Sequence, residues 1–233
     1  LYEACQIARE LAMDERWKVG RIIARPFIGK KAGEFERTAN RHDLALAPFD
    51  KTVLDTLKEN NFDVIGVGKI PDIFVNQGIT RSVKTISNKD GIETTSIVNN
   101  VDGMEKTIEL AKTNFNGLCF VNLVDFDAKY GHRRDYQGYG QAIVEFDEQL
   151  GELMKYLQAD DLLMITADHG NDPTYKGTDH TREQVPLIIY SKELLQPRCL
   201  APMESFSVIG ATIAENFNVE LPKIGKSILK NII

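Results

Sequence analysis

The stretch DLLMITADHG, from Asp161 to Gly170, joins a short apolar run to an Asp-His-Gly turn. Apolar runs of this length, bounded by a glycine, are typical of strands buried on both faces of a parallel sheet. Two similar runs flank it, GLCFVNLVDFD from Gly117 to Asp127 and VPLIIY from Val185 to Tyr190. All three predict strands. The polar residues that follow them are candidates for a binding site, because ligands gather beyond the carboxyl ends of parallel strands.

Segments with a helical spacing of apolar residues separate the predicted strands. They run from about Met104 to Lys112, from Ile143 to Leu157 and from about Ser207 to Phe217. An earlier helix, which we expect Asp50 to cap, leads into a buried strand DVIGVGKI, from Asp63 to Ile70. This alternation predicts the α/β class, with a mostly parallel sheet flanked by helices.

The residues before Asp50 follow a different pattern. Leu1 to Ala12 has helical spacing, VGRIIARPF from Val19 to Phe27 predicts a short strand ended by its proline, and Lys30 to Asp43 predicts a polar loop. We therefore place a domain junction near Pro48. The chain opens inside its first amphipathic pattern without a methionine, which we interpret as the mark of a fragment.

The composition favours a small-molecule partner. A formal charge of -6 and a pI near 5.3 argue against a general affinity for nucleic acid or anionic lipid. No apolar run has the length of a membrane span, and a cytoplasmic location is the resulting expectation. Cys5, Cys119 and Cys199 are odd in number and widely spaced, so we expect buried, reduced thiols. The sequence carries no signal of the oligomeric state.

Three of the four histidines lie shortly after two predicted strands, each with an aspartate nearby. The residues concerned are Asp125, Asp127 and His132 after the first strand, Asp168 and His169 after the second, and Asp179 and His180 on the loop that follows. Imidazole and carboxylate together suit zinc or manganese. One such pair on a loop is more often a turn or a helix cap. Three pairs that converge on one sheet edge predict a metal site instead.

Other residues near these stretches are weaker candidates. Four cations are suited to phosphate binding, although a solvated surface position is the commoner outcome for each: Arg25, Arg37, Arg41 and Lys69. Three arginines flank the candidate ligands and either orient carboxylates or face water: Arg133, Arg134 and Arg182. Three glycines suit the tight turns of ligand loops: Gly131, Gly170 and Gly177. His42 is expected to be structural or exposed.

The stretches NLVDFDAKYGHRRD and TADHGNDPTYKGTDHTRE resemble the phosphopentomutase family of the alkaline phosphatase superfamily. The resemblance extends over nearly the whole chain, including RTANRHD, DVIGVGKIPDIF and TDHTREQVPLIIYS. It implies an enzyme with two divalent metal ions, usually manganese, that interconverts the 1-phosphate and 5-phosphate of ribose or deoxyribose. It also implies that residues 1–49 are the later part of a small α/β cap domain and residues 50–233 the later part of an alkaline phosphatase-like core.

The resemblance also implies roles for individual residues. Asp127, His132 and His180 match the ligands of one metal, and Asp168 and His169 match part of the second set. Asp179 is then at most an indirect contributor. The family completes the second set with an N-terminal aspartate and with a threonine that a sugar bisphosphate primes by phosphorylation. Neither has a counterpart here, so we expect no catalytic nucleophile in this chain and no activity from the chain alone.

Three alternatives stay open at the level of sequence. A cofactor-independent phosphoglycerate mutase or a nucleotide phosphodiesterase of the same superfamily would also carry Asp-His-Gly loops, although VDFDAKYGHRRD and GTDHTRE favour the pentomutase. The second alternative is a metal-binding module without catalytic activity. The third is an α/β domain whose histidines have no shared role.

Overall fold

A computed structural model of the chain describes residues 1–14, 16–37, 42–83, 85–86, 93–94, 99–194 and 196–232, with the backbone alone at 37, 42, 85–86 and 93–94. The helices are α1 (Tyr2–Leu11), α2 (Val53–Glu59), α3 (Ile70–Ile73), α4 (Asn100–Ala111), α5 (Tyr136–Tyr156), α6 (Ser207–Asn216) and α7 (Leu229–Ile232). The strands are β1 (Arg21–Ala24), β2 (Phe27–Ile28), β3 (Glu36–Arg37), β4 (His42–Ala45), β5 (Asp63–Val67), β6 (Arg81–Val83), β7 (Thr85–Ile86), β8 (Glu93–Thr94), β9 (Gly117–Val121), β10 (Leu163–Thr166) and β11 (Leu187–Tyr190). A π-helical turn, Phe126–Gly131, lies between β9 and α5.

A parallel sheet of β6, β5 and β9, in that order, lies at the centre of the core. Its middle strand β5 is almost wholly apolar, and Val64, Ile65 and Val67 are all buried. Val64 packs with Leu57 of α2, whereas Ile65 and Val67 pack with residues of α4 and β9 on the opposite face. Burial on both faces explains why the strand lacks polar alternation. The predicted α/β class, with a parallel sheet flanked by helices, is confirmed.

Strand β10 pairs with β11 in an antiparallel ladder, with Leu163 opposite Tyr190 and Thr166 opposite Leu187. The sequence predicted one mostly parallel sheet, but among the described strands β10 has no ladder with β9. Parallel neighbours need a crossover, usually a helix, and the polar stretch between β10 and β11 forms none. The chain instead folds straight back, with an isolated bridge between Gly170 and Thr181.

The structure corrects two predictions near the start of the chain. Lys30 to Asp43 was expected to be a loop, yet it contains β3, which pairs with β2, and the start of β4, which pairs with β1. His42 therefore lies on a strand. Short polar strands lack the apolar alternation that a pattern search detects. The first strand does end before Pro26, as predicted.

Helix α2 is capped by Thr52, and not by Asp50 as the sequence suggested. The Asp55 carboxylate accepts a hydrogen bond from the backbone N–H of Thr52 at 2.8 Å, the reach-back contact of a capping box. Asp50 instead forms an ion pair with Lys223 at 2.7 Å. Thr52 thus directly precedes Val53, the first residue of α2, which is the position that a capping residue occupies.

The three cysteines are unpaired, as predicted, but they differ in burial. Cys119 of β9 packs into the core beside Ile65, and burial raises the pKa of its thiol to about 12. Cys5 is partly buried and Cys199 is exposed, so the expectation of buried thiols is wrong for Cys199. Among the described helices, none combines the length and the apolar character that crossing a bilayer requires.

Candidate metal centre

The π-helical turn after β9 places Asp127 and His132 on the same side of the chain. The backbone N–H of His132 donates to the backbone carbonyl of Asp127 at 2.9 Å, so the bond joins residues five positions apart. In an α-helix, residues five apart point about 140° away from each other, because each residue advances by about 100°. The wider π turn removes most of that offset. The local backbone therefore aligns one carboxylate with one imidazole.

His180 joins these two residues from the loop between β10 and β11. Ligand atoms of Asp127, His132 and His180 all lie within 4.8 Å of one another, and we call these three residues the Asp127 cluster. The distance from Asp127 Oδ1 to His132 Nε2 is 3.4 Å, and that to His180 Nε2 is 3.2 Å. Both imidazoles thus turn the same nitrogen toward one carboxylate oxygen.

A backbone contact defines which nitrogen of His132 carries the proton. His132 Nδ1 lies 2.6 Å from the Thr178 carbonyl oxygen. A carbonyl only accepts hydrogen bonds, so Nδ1 is the donor and Nε2 keeps its lone pair in the neutral ring. Such a contact is the usual partner of a metal-binding histidine, since it orients the ring and raises the basicity of the ligating nitrogen.

Asp168 and His169 follow β10 and lie against the Asp127 cluster; we call them the Asp168 pair. The His169 ring stacks on the His180 ring with centroids 3.7 Å apart. His169 Nε2 is 3.5 Å from Asp168 Oδ2, while its Nδ1 is 3.1 Å from the Gly170 carbonyl oxygen. The structure therefore brings the ligand atoms of Asp127, His132 and His180 within 4.8 Å of one another. It places the His169 ring against that of His180, with Asp168 beside His169.

Asp125, the remaining aspartate after β9, has a different task. Its carboxylate accepts from the backbone N–H of Asn100 at 3.1 Å, and its own N–H donates to the Asn100 side chain at 2.8 Å. These two bonds tie the segment after β9 to the first turn of α4. Asp125 is a structural residue that helps to hold the π-helical turn.

Two side chains that support the Asp127 cluster were missed or left undecided by sequence reasoning. Asn171 is buried and donates from Nδ2 to Asp127 Oδ1 at 2.6 Å. Its Oδ1 accepts from Arg134 Nη1 at 2.8 Å. Arg134 was one of three arginines expected either to orient carboxylates or to face water, and it takes the first role through Asn171. Nothing in the sequence distinguishes Asn171 from an ordinary loop asparagine.

The surroundings of the cluster are acidic. Burial, followed by the negative charges of Asp127, Asp172 and Glu183, raises the pKa of Tyr139 above its usual range. A hydrogen bond from the Thr174 side chain, with a further one from its backbone, lowers the pKa of Asp172. Carboxylates gathered in this way make the site suitable for a cation.

The Asp168 pair borders a groove of about 1030 Å³. The groove runs between the β10–β11 ladder and the segment from Gln196 to Phe206, and it includes Arg182 and Arg198. The Asp127 cluster does not line it. One side of the pair therefore opens onto space that a ligand or another polypeptide segment can enter.

The weaker candidates are not drawn into the cluster. Arg25 is exposed after β1, and Lys69 is partly buried just before α3. No hydrogen bond or ion pair links either of them to the cluster among the described residues. The Arg37 side chain and the whole of Arg41 lie outside what the structure describes. Arg133 and Arg182 are exposed, as is Asp179, whose backbone carbonyl accepts from Arg134 at 2.7 Å.

The chain is similar to known proteins along almost its whole length. The sequence model of the metalloenzyme superfamily matches residues 9–221. The chain is 54% identical over 235 residues to the phosphopentomutase of Clostridium botulinum (strain Alaska E43 / Type E3). The aligned region covers 100% of this chain and 56% of that protein. The phosphopentomutases of Clostridium perfringens (strain 13 / Type A) and Agathobacter rectalis are 54% and 53% identical at the same coverage. The chain thus spans about half the length of the curated relatives it matches.

Proposed function

The chain belongs to the metalloenzyme superfamily, and from this premise we propose that it forms part of a phosphopentomutase. Such an enzyme interconverts the 1-phosphate and 5-phosphate of ribose or deoxyribose. The observation that supports the proposal most strongly is the Asp127 cluster, in which two imidazole nitrogens face one carboxylate oxygen at 3.2 and 3.4 Å. The 54% identity to phosphopentomutases favours this activity over other mutases of the superfamily.

The Asp127 cluster fits a single divalent ion. Two ligand atoms about 2.1 Å from one ion lie roughly 3.4 Å apart at a tetrahedral angle, close to both separations in the cluster. One carboxylate supplies negative charge and two imidazoles supply neutral nitrogen donors, a set that suits zinc or manganese. We propose manganese, as the resemblance to phosphopentomutases implies.

The Asp168 pair supplies two ligands of a second ion in this proposal. Two divalent ions held by these residues would supply positive charge for the phosphoryl oxygens and for the attacking and leaving oxygens of an in-line transfer. In the chain itself, Asp168 and His169 orient that half of the site, and stacking of His169 on His180 keeps the two ligand sets adjacent. The sugar phosphate is proposed to contact the cations Arg25, Arg37, Arg41 and Lys69.

The resemblance implies that the family's phosphorylated threonine and its remaining aspartate ligand are not matched within this sequence. We therefore propose that these 233 residues by themselves do not catalyse the interconversion, and that a sugar bisphosphate, the family's activator, acts on the complete enzyme. The cytoplasmic location expected from the sequence stays a prediction.

A manganese titration by calorimetry tests the ligand assignment. We expect one tight site in the native sequence and a loss of more than about 100-fold in affinity for Asp127→Asn, since even an outer partner of a ligand is worth about 10–100-fold. Asp179→Asn is the matched control, because the exposed Asp179 side chain lies directly before His180 in the chain but outside the cluster. Equal affinities for both variants would overturn the assignment.

A chimera tests the reaction. This chain would replace the matching 56% of the Clostridium botulinum relative, and the product would be assayed with ribose 1-phosphate and with 3-phosphoglycerate. Turnover of the sugar phosphate only is expected. Turnover of 3-phosphoglycerate in its place would favour the other mutase class, while a chimera that binds manganese without turnover would favour a metal-binding module.

A further inference from the structure

Arg134 makes an unusually large number of contacts around the candidate metal centre. Its guanidinium donates to the backbone carbonyls of Gly131 at 3.1 Å, Asp172 at 2.7 Å and Asp179 at 2.7 Å, to the carbonyl of Gly177, and to Asn171 Oδ1 at 2.8 Å. One of these acceptors belongs to the π-helical turn and four belong to the loop between β10 and β11. Arg134 thus ties the element that carries Asp127 and His132 to the loop that carries His180.

Asn171 links Arg134 to the Asp127 carboxylate through two hydrogen bonds. A guanidinium has donors and no acceptor, so the Asn171 amide must turn its oxygen toward Arg134 and its NH₂ toward Asp127. The Asn171 Nδ2–H then donates to Asp127 Oδ1 at 2.6 Å, on the same oxygen that both histidines face. The orientation of this carboxylate depends on a chain of two hydrogen bonds that begins at Arg134.

Gly131 leaves room for the Asn171 side chain beside the π-helical turn. A Cβ on Gly131 would lie 2.6 Å from Asn171 Nδ2 and 2.9 Å from the Phe126 carbonyl oxygen. Asn171 therefore packs directly on the backbone of the π-helical turn. Arg134 itself adopts a φ of +56°, a left-handed conformation that is uncommon for non-glycine residues.

We propose that Arg134 and Asn171 are positioning residues of the metal centre: Arg134 holds the histidine loop on the π-helical turn, and Asn171 sets the orientation of the Asp127 carboxylate. Neither residue is a ligand. The proposal rests on the proposed metal site. Removing either residue is expected to weaken metal binding while every ligand remains in the chain, because ligands that are free to rotate must be ordered by the ion itself.

The test compares cobalt(II) binding by the native sequence and by Arg134→Gln, Arg134→Lys and Asn171→Leu. Cobalt substitutes for zinc or manganese, and its visible absorption reports coordination number as well as occupancy. Arg134→Gln and Asn171→Leu are expected to lose about 10–100-fold in affinity and to show an altered spectrum. The cobalt affinity of Arg134→Lys is expected to lie between that of these two variants and that of the native sequence, since an ammonium cannot reproduce the planar fork of a guanidinium.

Arg133→Gln is the matched control. Arg133 is exposed and directly precedes Arg134, so this variant removes the same charge without the loop contacts. Its affinity and spectrum are expected to equal those of the native sequence. Thermal unfolding of each metal-free variant separates positioning from a loss of fold. If Arg134→Gln does not unfold cooperatively, Asn171→Leu decides the question, because it removes the contact to Asp127 and leaves the arginine in place.

The outcomes separate this proposal from the one on which it depends. If cobalt binds to the native sequence and is lost in His180→Gln, while Arg134→Gln and Asn171→Leu bind it as tightly and with the same spectrum, the positioning proposal is wrong and the metal site stands. If cobalt does not bind, or binds equally to His180→Gln, the proposed metal site is wrong and the positioning proposal falls with it.

Discussion

The Asp127 cluster and the Asp168 pair are adjacent, but they differ in how exposed their aspartates are and in how many neighbouring groups hold their side chains. In the cluster, the side chains of Asp127, His132 and His180 are 35%, 40% and 46% exposed, and Asn171 and the Thr178 carbonyl hold two of them. In the pair, the Asp168 side chain is 80% exposed and has one nearby imidazole. In the proposed function, the cluster therefore offers three ligands for one ion, whereas the pair offers two of the ligands of the other.

The comparison teaches that proximity and organisation are separate properties of a metal site. His169 stacks on His180, so both sets occupy the same small region. The cluster is supported by a π-helical turn, by Asn171 and by Arg134, while the pair opens onto a groove of about 1030 Å³. A ligand set held in place by its neighbours binds more tightly than one that the ion must order.

The largest expected effect separates the two sets by their histidines. His132→Gln is predicted to weaken manganese binding by more than about 100-fold, because it removes one of the three proposed ligands of the Asp127 cluster. His169→Gln is predicted to leave the tight site nearly unchanged in this chain. Calorimetric titration measures both, and the native sequence is the reference. A greater loss of manganese affinity in His169→Gln than in His132→Gln would contradict the proposed difference between the cluster and the pair.

An intermediate effect is expected from the backbone beneath the cluster. Gly131→Ala places a methyl group 2.6 Å from Asn171 Nδ2, so it is predicted to destabilise the fold by about 1–3 kcal/mol and to weaken metal binding. Chemical denaturation and cobalt titration check both results.

Gly140→Ala is the matched control for that substitution. Gly140 lies in α5, and a Cβ there meets no atom within 4 Å. This variant is predicted to gain up to about 1 kcal/mol in stability, because alanine is the better helix former. An equal loss of stability in both variants would show that Asn171 does not pack as tightly on the turn as the structure indicates.

The smallest expected effect concerns the groove beside the pair. Alkylating the exposed Cys199, which lines the groove, is predicted to change metal affinity of the cluster by less than about twofold, since changes remote from a site are usually within about 0.5 kcal/mol. Cys119 should stay unlabelled near pH 8, because burial raises its pKa to about 12 and it remains a thiol. Mass spectrometry locates the label, and a large loss of affinity would show that the groove and the cluster are coupled.

Sequence reasoning correctly predicted the α/β class and the approximate positions of α1, α2, α4, α5 and α6. The five candidate ligands that it named stay a prediction. Apolar periodicity along α4, α5 and α6 and the apolar run of β5 are local signals, so a pattern search finds them. The prediction failed for β3, β4 and the cap of α2. Strands this short and polar acquire their conformation from pairing. The cap was assigned to Asp50, but Thr52 directly precedes the helix and Asp50 instead pairs with Lys223.

The sequence by itself determined which chemistry the chain can offer, since aspartate and histidine after apolar strands define the type of donor and the set of suitable ions. Tertiary structure alone decided how those donors are organised. The antiparallel return of β11, and the contacts that Arg134 and Asn171 make between the π-helical turn and the loop after β10, depend on residues far apart in the chain. No local pattern encodes such contacts, because each one forms only when two separate segments have packed against each other.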